Sequence, residues 1–346
     1  MTRTIKRMGL FVSVLVLLAI LIGGRFYRYI NGNNVDISKA ETPYIYIPNG
    51  TSFSELKCIL EESSVVKDME SFVWVAQKKN YITRIKGGRY KLEQGMSNNQ
   101  LINLLRSGKQ EPLNITFNNI RKLEQLASVV GKKIMADSVE LVNLLSDRSY
   151  IKECGFNKQT FPTMFIPNTY QMYWNSDAKH FVQRMELEYK RFWTDEKKDK
   201  AKAVGLSPVE VGVLASIVDE ETQKSDEKPM VAGLYLNRLK KGMKLQADPT
   251  LKYALGDFTI KRLLNEDKNV DSPYNTYKYY GLPPGPIRIP SITGINAVLN
   301  HSSHNYLYMC AKEDFSGYHN FAKTLRQHNQ NAAKYQRELN KRGIRR

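Results

Sequence analysis

Three consecutive acids, Asp219, Glu220 and Glu221, close a segment that the sequence marks as a helix. The segment opens at 207–210 with Ser-Pro-Val-Glu, the residue types of a capping box with proline at the first helical position. At about 100° per residue, five apolar side chains share one broad arc: Val211, Val213, Leu214, Ile217 and Val218. Glu221 falls near the centre of this arc, Glu220 at its edge and Asp219 well off it. The spacing therefore predicts that Glu221 faces the core.

A carboxylate in apolar surroundings has a raised pKa, because burial disfavours its charged form. Such a group suits general acid catalysis near neutral pH. The alternative is that the helix ends before Glu221, which would leave an exposed acid at a frayed terminus. Periodicity alone leaves both interpretations open.

The elements that must position this helix follow an α+β pattern. Alternating apolar residues at 44–47 and a segment near Tyr90 predict short strands, and helices are predicted to follow Ser52, Asp68 and Ser97. We expect this small α+β subdomain to cover 44–111. The remainder, 112–346, is predicted to form a larger mixed α/β catalytic domain.

The N-terminal segment predicts a membrane anchor. Residues 8–24 are almost entirely apolar, and about 17–25 such residues suffice for a helix to cross a bilayer. Basic residues precede them and no acid occurs before Asp36, which favours a cytoplasmic N-terminus. We therefore expect an N-terminal tip and transmembrane helix at 1–30 and a linker at 31–43. A cleaved signal peptide is the alternative, although no clear cleavage site is present.

Composition narrows the function classes. Of the 346 residues, 42% are hydrophobic and 25% charged, which is typical of a globular protein, and the net charge of +18 favours an anionic partner. No arginine-rich tract or aromatic RNA-binding signature favours nucleic acid. Three isolated cysteines form no CxxC, and neither histidine spacing nor a nucleotide-binding motif indicates a metal or cofactor. We expect no metal, no cofactor and no nucleic acid partner.

Five blocks resemble, in the same order, the motifs of the endolytic murein transglycosylases, the YceG-like family. The blocks are LASIVDEET (214–222), VAGLYLNRL (231–239), GMKLQADPT (242–250), YNTY followed by GLPPGPI (274–287), and HNF followed by HN (319–329). The rest of the chain is more weakly similar, with 44–111 in the place of the family's small LysM-like subdomain. The resemblance implies a lyase that acts on peptidoglycan.

The resemblance also implies a mechanism. The family's catalytic glutamate corresponds to Glu221, which would protonate the glycosidic oxygen between MurNAc and GlcNAc in nascent strands near the membrane. The resulting carboxylate would take the proton of the MurNAc C6 hydroxyl as that oxygen closes on C1. The product is a 1,6-anhydro end, and such cleavage would terminate strand elongation. Asn168 stands where the family often has an acid, so no second acid is expected there.

Seven further residues in these blocks are expected to bind the glycan: Asn237, Gln246, Asp248, Tyr274, Asn275, Tyr277 and His319. The amides at 237 and 246 have the chemistry to bond sugar hydroxyls and N-acetyl groups, or equally to bond loop backbone. Asp248, before a proline, has the position of a helix N-cap, with a sugar contact as the alternative. The 274–277 loop could offer stacking faces or form a rigid corner. His319 and His328 are expected near the site through the resemblance.

Two other functions remain possible from the residues. A hydrolytic muramidase would need a second acid or a positioned water, for which Asp219 and Asp248 are the candidates. A non-catalytic glycan-binding scaffold would need only the small subdomain. The expected partners of the protein are peptidoglycan strands, the lipid bilayer through the N-terminal helix and membrane-bound peptidoglycan synthases. The expected location is the cell (inner) membrane, single-pass, with the catalytic domain on the periplasmic side.

Overall fold

The computed structural model describes residues 2–38, 40–260 and 263–343, with side chains from Arg7 onward. It divides into two compact units. The first runs to Ile115 and takes in 133–136 and 171–177, and the second holds the remaining residues. Helices dominate both units and the strands are short, so the predicted α+β class is confirmed.

The first unit joins helices to a two-stranded antiparallel sheet. Its elements are α1 (Thr2–Asn31), β1 (Tyr44–Ile47), α2 (Phe53–Glu62), α3 (Met69–Lys78), β2 (Gly88–Lys91) and α4 (Asn98–Ser107). Capping boxes at Ser52 and Ser97 begin α2 and α4, because each serine and the third helical residue bond one another's backbone. β1 pairs with β2 so that Tyr44 opposes Lys91. The strands and helices predicted over 44–108 are confirmed.

Helix α1 enters the first unit without an intervening loop. Its segment Arg7–Asn31 contains an 18-residue window with a mean hydropathy of 2.3 and is long enough to cross a membrane. At its far end, Phe26 stacks on Trp74 with ring centroids 5.0 Å apart, and Tyr29 meets the same indole edge-on at 6.2 Å. The last turns of α1 are therefore part of the packed unit.

The segment 31–43, predicted as a linker, is partly folded into the same unit. Asn33 and Val35 each form an isolated antiparallel bridge with a later segment. Val35 is fully buried, and the side chain of Asn34 donates to the Asp68 carbonyl oxygen at 2.9 Å. Residues 33–35 are therefore packed into the fold, because their polar groups find partners there.

The second unit is built mainly of helices. The remaining elements of the chain, in order, are β3 (Leu113–Thr116), α5 (Leu123–Gly131), α6 (Ser138–Ser146), α7 (Arg148–Glu153), β4 (Thr169–Met172), α8 (Ala178–Phe192), α9 (Asp195–Ala203), α10 (Pro208–Glu221), α11 (Lys228–Lys240), α12 (Asp248–Leu255), α13 (Ile292–Leu299), β5 (Tyr308–Ala311), β6 (His319–Ala322) and α14 (Leu325–Lys341). Residues 113–115 of β3 and 171–172 of β4 belong to the first unit. β3 pairs with β4, and β5 pairs antiparallel with β6.

Helix α10 is the central helix of the second unit. The predicted capping box is present, since the Ser207 hydroxyl accepts from Glu210 N–H and the Glu210 carboxylate accepts from Ser207 N–H. Every residue from Val211 to Asp219 is buried, with α11, α12 and α13 packed around the helix. The sequence predicted one apolar arc, but a helix enclosed on all sides needs none of its faces to be polar.

Candidate active site

Glu221 is the last residue of α10 and lies half-buried at the wall of a cavity. Its Oε1 accepts a hydrogen bond from the Tyr235 hydroxyl at 2.5 Å. Burial raises the pKa of Glu221 from 4.5 to about 7; the Tyr235 bond opposes that rise, and the neighbouring Asp248 charge adds to it. The carboxyl is therefore poised to give and take a proton near neutral pH.

Asp219 is fully engaged in holding helices together. Its Oδ1 lies 2.6 Å from Lys228 Nζ and accepts the Ser291 hydroxyl at 2.7 Å, while its Oδ2 accepts the Ser291 N–H at 2.7 Å. The Asp219 residue is only 2% exposed. A β-carbon at Gly294 would stand 2.6 Å from Oδ1, so this carboxylate also fits closely against α13. The prediction that Asp219 points away from the core is wrong, because its charge is paired there.

Glu220 is also held in ion pairs. Its Oε2 accepts from Arg121 Nη2 at 2.9 Å, and its Oε1 accepts from Arg121 Nε at 3.2 Å and Arg288 Nη1 at 2.9 Å. Arg288 also donates to Asn119 Oδ1 at 2.6 Å. Of the three consecutive acids, Glu221 alone thus lacks a cationic hydrogen-bond partner within the described residues.

The cavity beside Glu221 has a volume of about 570 Å³. One wall is α11, through Tyr235 and Arg238, and another is the strand β5. The remaining lining residues include Gln246, Asp248, Tyr277, His319 and His328. Four of the seven predicted glycan-binding residues, at 246, 248, 277 and 319, therefore meet in one cavity with Glu221.

Asp248 points its carboxylate at a tyrosine. It is the first residue of α12, after the N-cap Ala247, which makes no side-chain cap hydrogen bond. The Tyr277 hydroxyl donates to Asp248 Oδ1 instead. The N-cap of α12 is therefore Ala247 and not, as the sequence predicted, Asp248. The Asp248 side chain lines the cavity instead.

Gln246 is held in a left-handed conformation, with φ of +51°. Its N–H donates to the Thr276 carbonyl at 3.0 Å, and its Oε1 accepts from Arg238 Nη2 at 2.6 Å. Arg238 also donates to the Leu245 carbonyl at 3.1 Å. Since Oε1 is occupied by the guanidinium, the side-chain NH₂ of Gln246 is the group suited to a sugar oxygen.

His319 is oriented by a buried carboxylate. Its Nδ1 lies 2.9 Å from Glu227 Oε2, and its backbone N–H donates to Glu227 Oε1 at 2.6 Å. A carboxylate can only accept, so Nδ1 carries the proton and Nε2 is the ring nitrogen left for a ligand. On the same cavity, burial and the nearby Arg238 charge lower the pKa of His328.

Three predicted glycan-binding residues lie outside the cavity lining. Asn237 donates to the carbonyl oxygens of His304 at 2.7 Å and Tyr306 at 3.1 Å. Asn275 is fully buried, and its side chain bonds three backbone groups of its own loop. Tyr274 packs on the Tyr253 ring with centroids 4.6 Å apart. These three side chains make structural contacts, which is the second of the two roles predicted for each of them.

Two further cavity residues, Tyr235 and Arg238, lie in the 231–239 block but are not among the predicted site residues. They are three residues apart on α11, and this spacing puts both on one helix face. The spacing alone predicts that the two side chains share a helix face, but it does not predict that this face lies beside Glu221. Asn168, the position of the missing family acid, is exposed and does not line the cavity.

Comparisons with known proteins match most of the chain. The sequence profile of the YceG-like family matches residues 45–334. The endolytic murein transglycosylase of Bacillus subtilis (strain 168) is 29% identical over 332 residues, covering 91% of this chain and 91% of the relative. The endolytic murein transglycosylase of Streptococcus pneumoniae (strain D39) is 28% identical over 363 residues, covering 94% of this chain and 64% of the relative.

A solved structure agrees with these matches. The crystal structure of a YceG-like protein from Listeria monocytogenes has a TM-score of 0.54 and 27% identity, covering 83% of this chain and 97% of that chain. The resemblance noted in five sequence blocks is thus extended to nearly the whole chain. The chain belongs to the YceG-like family.

Proposed function

We propose that this protein is an endolytic murein transglycosylase with Glu221 as its single catalytic acid and base. One observation carries the proposal: Glu221 is the acid of the 219–221 run whose carboxyl faces a cavity with its pKa raised to about 7. Asp219 and Glu220 are held in ion pairs. The names of the relatives, endolytic murein transglycosylase, support the same lyase class.

The reaction uses Glu221 twice, first as an acid and then as a base. Neutral Glu221 protonates the oxygen of the MurNAc–GlcNAc bond, and that bond breaks with its electron pair leaving on the GlcNAc oxygen. The C6 hydroxyl oxygen of the same MurNAc then bonds to C1, and its proton returns to the Glu221 carboxylate. The products are a 1,6-anhydro-MurNAc end and a free GlcNAc hydroxyl, and no water is consumed.

Tyr235 has a positioning role in this scheme. Its hydroxyl holds Glu221 Oε1, which leaves Oε2 as the oxygen that can carry the transferable proton. Gln246, Tyr277 and His319 supply an amide, a phenol and a ring nitrogen for sugar hydroxyls or N-acetyl groups. Asp248 supplies negative charge near the carbon that becomes electron-poor as the bond breaks.

The membrane is the proposed place of action. Helix α1 has the length and hydropathy of a single-pass anchor, and the basic residues before it favour an outward-facing catalytic unit. Peptidoglycan strands that are still growing lie close to the membrane surface. Cleavage there would end the elongation of a strand next to the membrane-bound synthases that make it.

The test is product analysis of nascent, uncrosslinked glycan by mass spectrometry. Wild-type protein should release 1,6-anhydro ends, and Glu221→Gln should lower the rate by at least about 10³-fold, because an amide cannot donate the proton. Glu153→Gln, an exposed acid of the second unit, is the matched control and should cleave normally. Cleavage by Glu221→Gln at the wild-type rate would refute the mechanism.

A hydrolytic muramidase is the second candidate, and Asp248 is the observation that favours it. Its carboxylate shares the cavity with Glu221 and could position a water. Reducing ends instead of 1,6-anhydro ends would select this reaction. A non-catalytic scaffold would give neither product, and its cellular role would survive Glu221→Gln.

A further inference from the structure

A second cavity, of about 610 Å³, lies in the first unit where α1 enters the fold. Three cationic side chains line it, Arg25, Arg28 and Lys67, against one carboxylate, Asp68. Asp68 caps α3 by accepting the Ser71 N–H at 3.0 Å, so one of its carboxylate oxygens already accepts a hydrogen bond. The cavity therefore has a surplus of hydrogen-bond donors and of positive charge, which favours an anionic ligand.

A buried polar network fixes the floor of this cavity. Asn98, 1% exposed, donates to the Tyr29 carbonyl at 2.9 Å and to Ser71 Oγ at 2.9 Å. Asn34, 5% exposed, donates to Asn98 Oδ1 at 2.7 Å. These bonds tie the backbone of α1 to α3 and α4. The end of α1 is thus held in place before any ligand arrives.

The two arginines share one face of α1. Arg25 and Arg28 are three residues apart, and Arg25 Nη2 donates to the Tyr29 hydroxyl at 3.0 Å. Lys67 is partly neutralised, because its Nζ lies 3.5 Å from Asp36 Oδ2. The arginines are therefore the main free donors of the cavity lining. A planar guanidinium matches the geometry of a phosphate with two parallel hydrogen bonds.

The level of the cavity along α1 identifies the source of the anion. Arg25 directly follows the apolar residues 8–24, which span about 25 Å at 1.5 Å per residue. Aromatic side chains cluster at the same level, where Phe26 and Tyr29 contact Trp74. Aromatic and cationic residues together mark the headgroup region of a bilayer. Lipid phosphates lie at that depth.

We propose that the cavity formed by Arg25, Arg28 and Lys67 binds the phosphate group of a membrane lipid. The proposal rests on the membrane location of α1 proposed above, and it does not depend on the chemistry of Glu221. It also accounts for Arg25 and Arg28 on the outer side of the anchor, where the positive-inside rule disfavours basic residues. Lipid binding would hold the first unit against the bilayer surface.

The test uses the full-length protein in detergent micelles, titrated with phosphatidylglycerol and observed by native mass spectrometry. One saturable lipid adduct is expected, and diacylglycerol with the same acyl chains should give none. Arg28→Gln should weaken phosphatidylglycerol binding about tenfold, since it removes a charge-assisted bond. Arg84→Gln, an exposed arginine of the same unit, removes the same charge and should bind normally.

Two competitors identify the phosphate source. If a polyprenyl phosphate displaces phosphatidylglycerol at tenfold lower concentration, the occupant is the isoprenoid carrier lipid; otherwise it is bulk phospholipid. Displacement by glycerol 3-phosphate at the lipid's own concentration would overturn the lipid assignment. Equal binding of diacylglycerol, or unchanged binding by Arg28→Gln, would overturn the proposal entirely.

Folding and anchoring are checked separately. Thermal unfolding of each variant shows whether the first unit is intact, and Arg28→Lys keeps the charge without the planar fork, so its affinity should lie between those of wild type and Arg28→Gln. Cell fractionation tests the anchor: recovery in the soluble fraction would refute the membrane location. Because the micelle titration needs neither fractionation nor glycan cleavage, failure of lipid binding is distinguishable from failure of the proposed function.

Discussion

Replacement of Tyr235 by phenylalanine tests how the cavity sets the acidity of Glu221. The substitution removes the hydroxyl that donates to Glu221 Oε1 at 2.5 Å and leaves the ring in place. That bond favours the charged carboxylate and lowers the pKa of Glu221, whereas burial raises it to about 7. Without the bond, the phenol no longer offsets the effect of burial on the pKa of Glu221. The pKa of Glu221 should therefore rise further.

The size of this rise follows from hydrogen-bond energies. A bond to a charged acceptor contributes about 1.5–3 kcal/mol and one to a neutral acceptor about 0.5–1.5 kcal/mol. The bond thus favours the carboxylate over the neutral acid by about 1–1.5 kcal/mol. At about 1.36 kcal/mol per pH unit, this moves the pKa of Glu221 from about 7 to about 8.

The assay is the pH dependence of kcat/KM on soluble glycan strands. The proton donor must be protonated, so activity falls as pH rises through the pKa of Glu221. The alkaline limb should lie near pH 7 in wild type and about one pH unit higher in Tyr235→Phe. Tyr189→Phe, a tyrosine packed on Trp193, is the control and should leave the limb in place. A limb in Tyr235→Phe that stays near pH 7, or moves to lower pH, would refute the reasoning.

Two further predictions concern stability, both measured by urea unfolding. The folded pKa of Glu221 lies above 4.5, so the folded state loses stability as pH rises from 4.5 to about 7. Glu221→Gln should therefore be more stable than wild type at pH 8 by at most about 3 kcal/mol and no more stable at pH 4; equal stability at both would contradict the raised pKa. Asp219→Asn leaves the Lys228 ammonium buried without its partner and should cost about 3–5 kcal/mol. The exposed Asp199→Asn is its control, and a cost below about 1 kcal/mol would contradict a buried pair.

Local signals predicted the helix that presents Glu221. The capping box at 207–210 depends on residues within one helical turn, and the structure contains the predicted bonds. The same holds for the caps at Ser52 and Ser97 in the first unit. Such patterns are readable because donors and acceptors are close in sequence.

Long-range partners could not be read in this way. Asp219 was predicted to point away from the core, because periodicity weighs only the apolar residues of its own helix. Its partners are Lys228 on the next helix and Ser291, which is 72 residues later in the chain. A charge can be buried when it is paired, and sequence spacing does not reveal the pair.

Residue type alone did not separate glycan-binding amides from structural ones. Gln246 lines the cavity, whereas Asn237 and Asn275 bond backbone carbonyls. All three have the same donor and acceptor groups. Their difference arises from where the surrounding loops fold. That position depends on the whole second unit.

The packed junction after α1 limits how far the rest of the first unit can move relative to the membrane anchor. A flexible linker of thirteen residues would let a tethered unit move over about 20 Å. Here Asn33 and Val35 are bridged to the fold, and Tyr29 is tied to Asn98, so that freedom is absent. With α1 in the bilayer, the first unit becomes a rigid extension of the anchor. Its height above the lipid is then a fixed distance, set by the number of helical residues between the apolar segment and the fold.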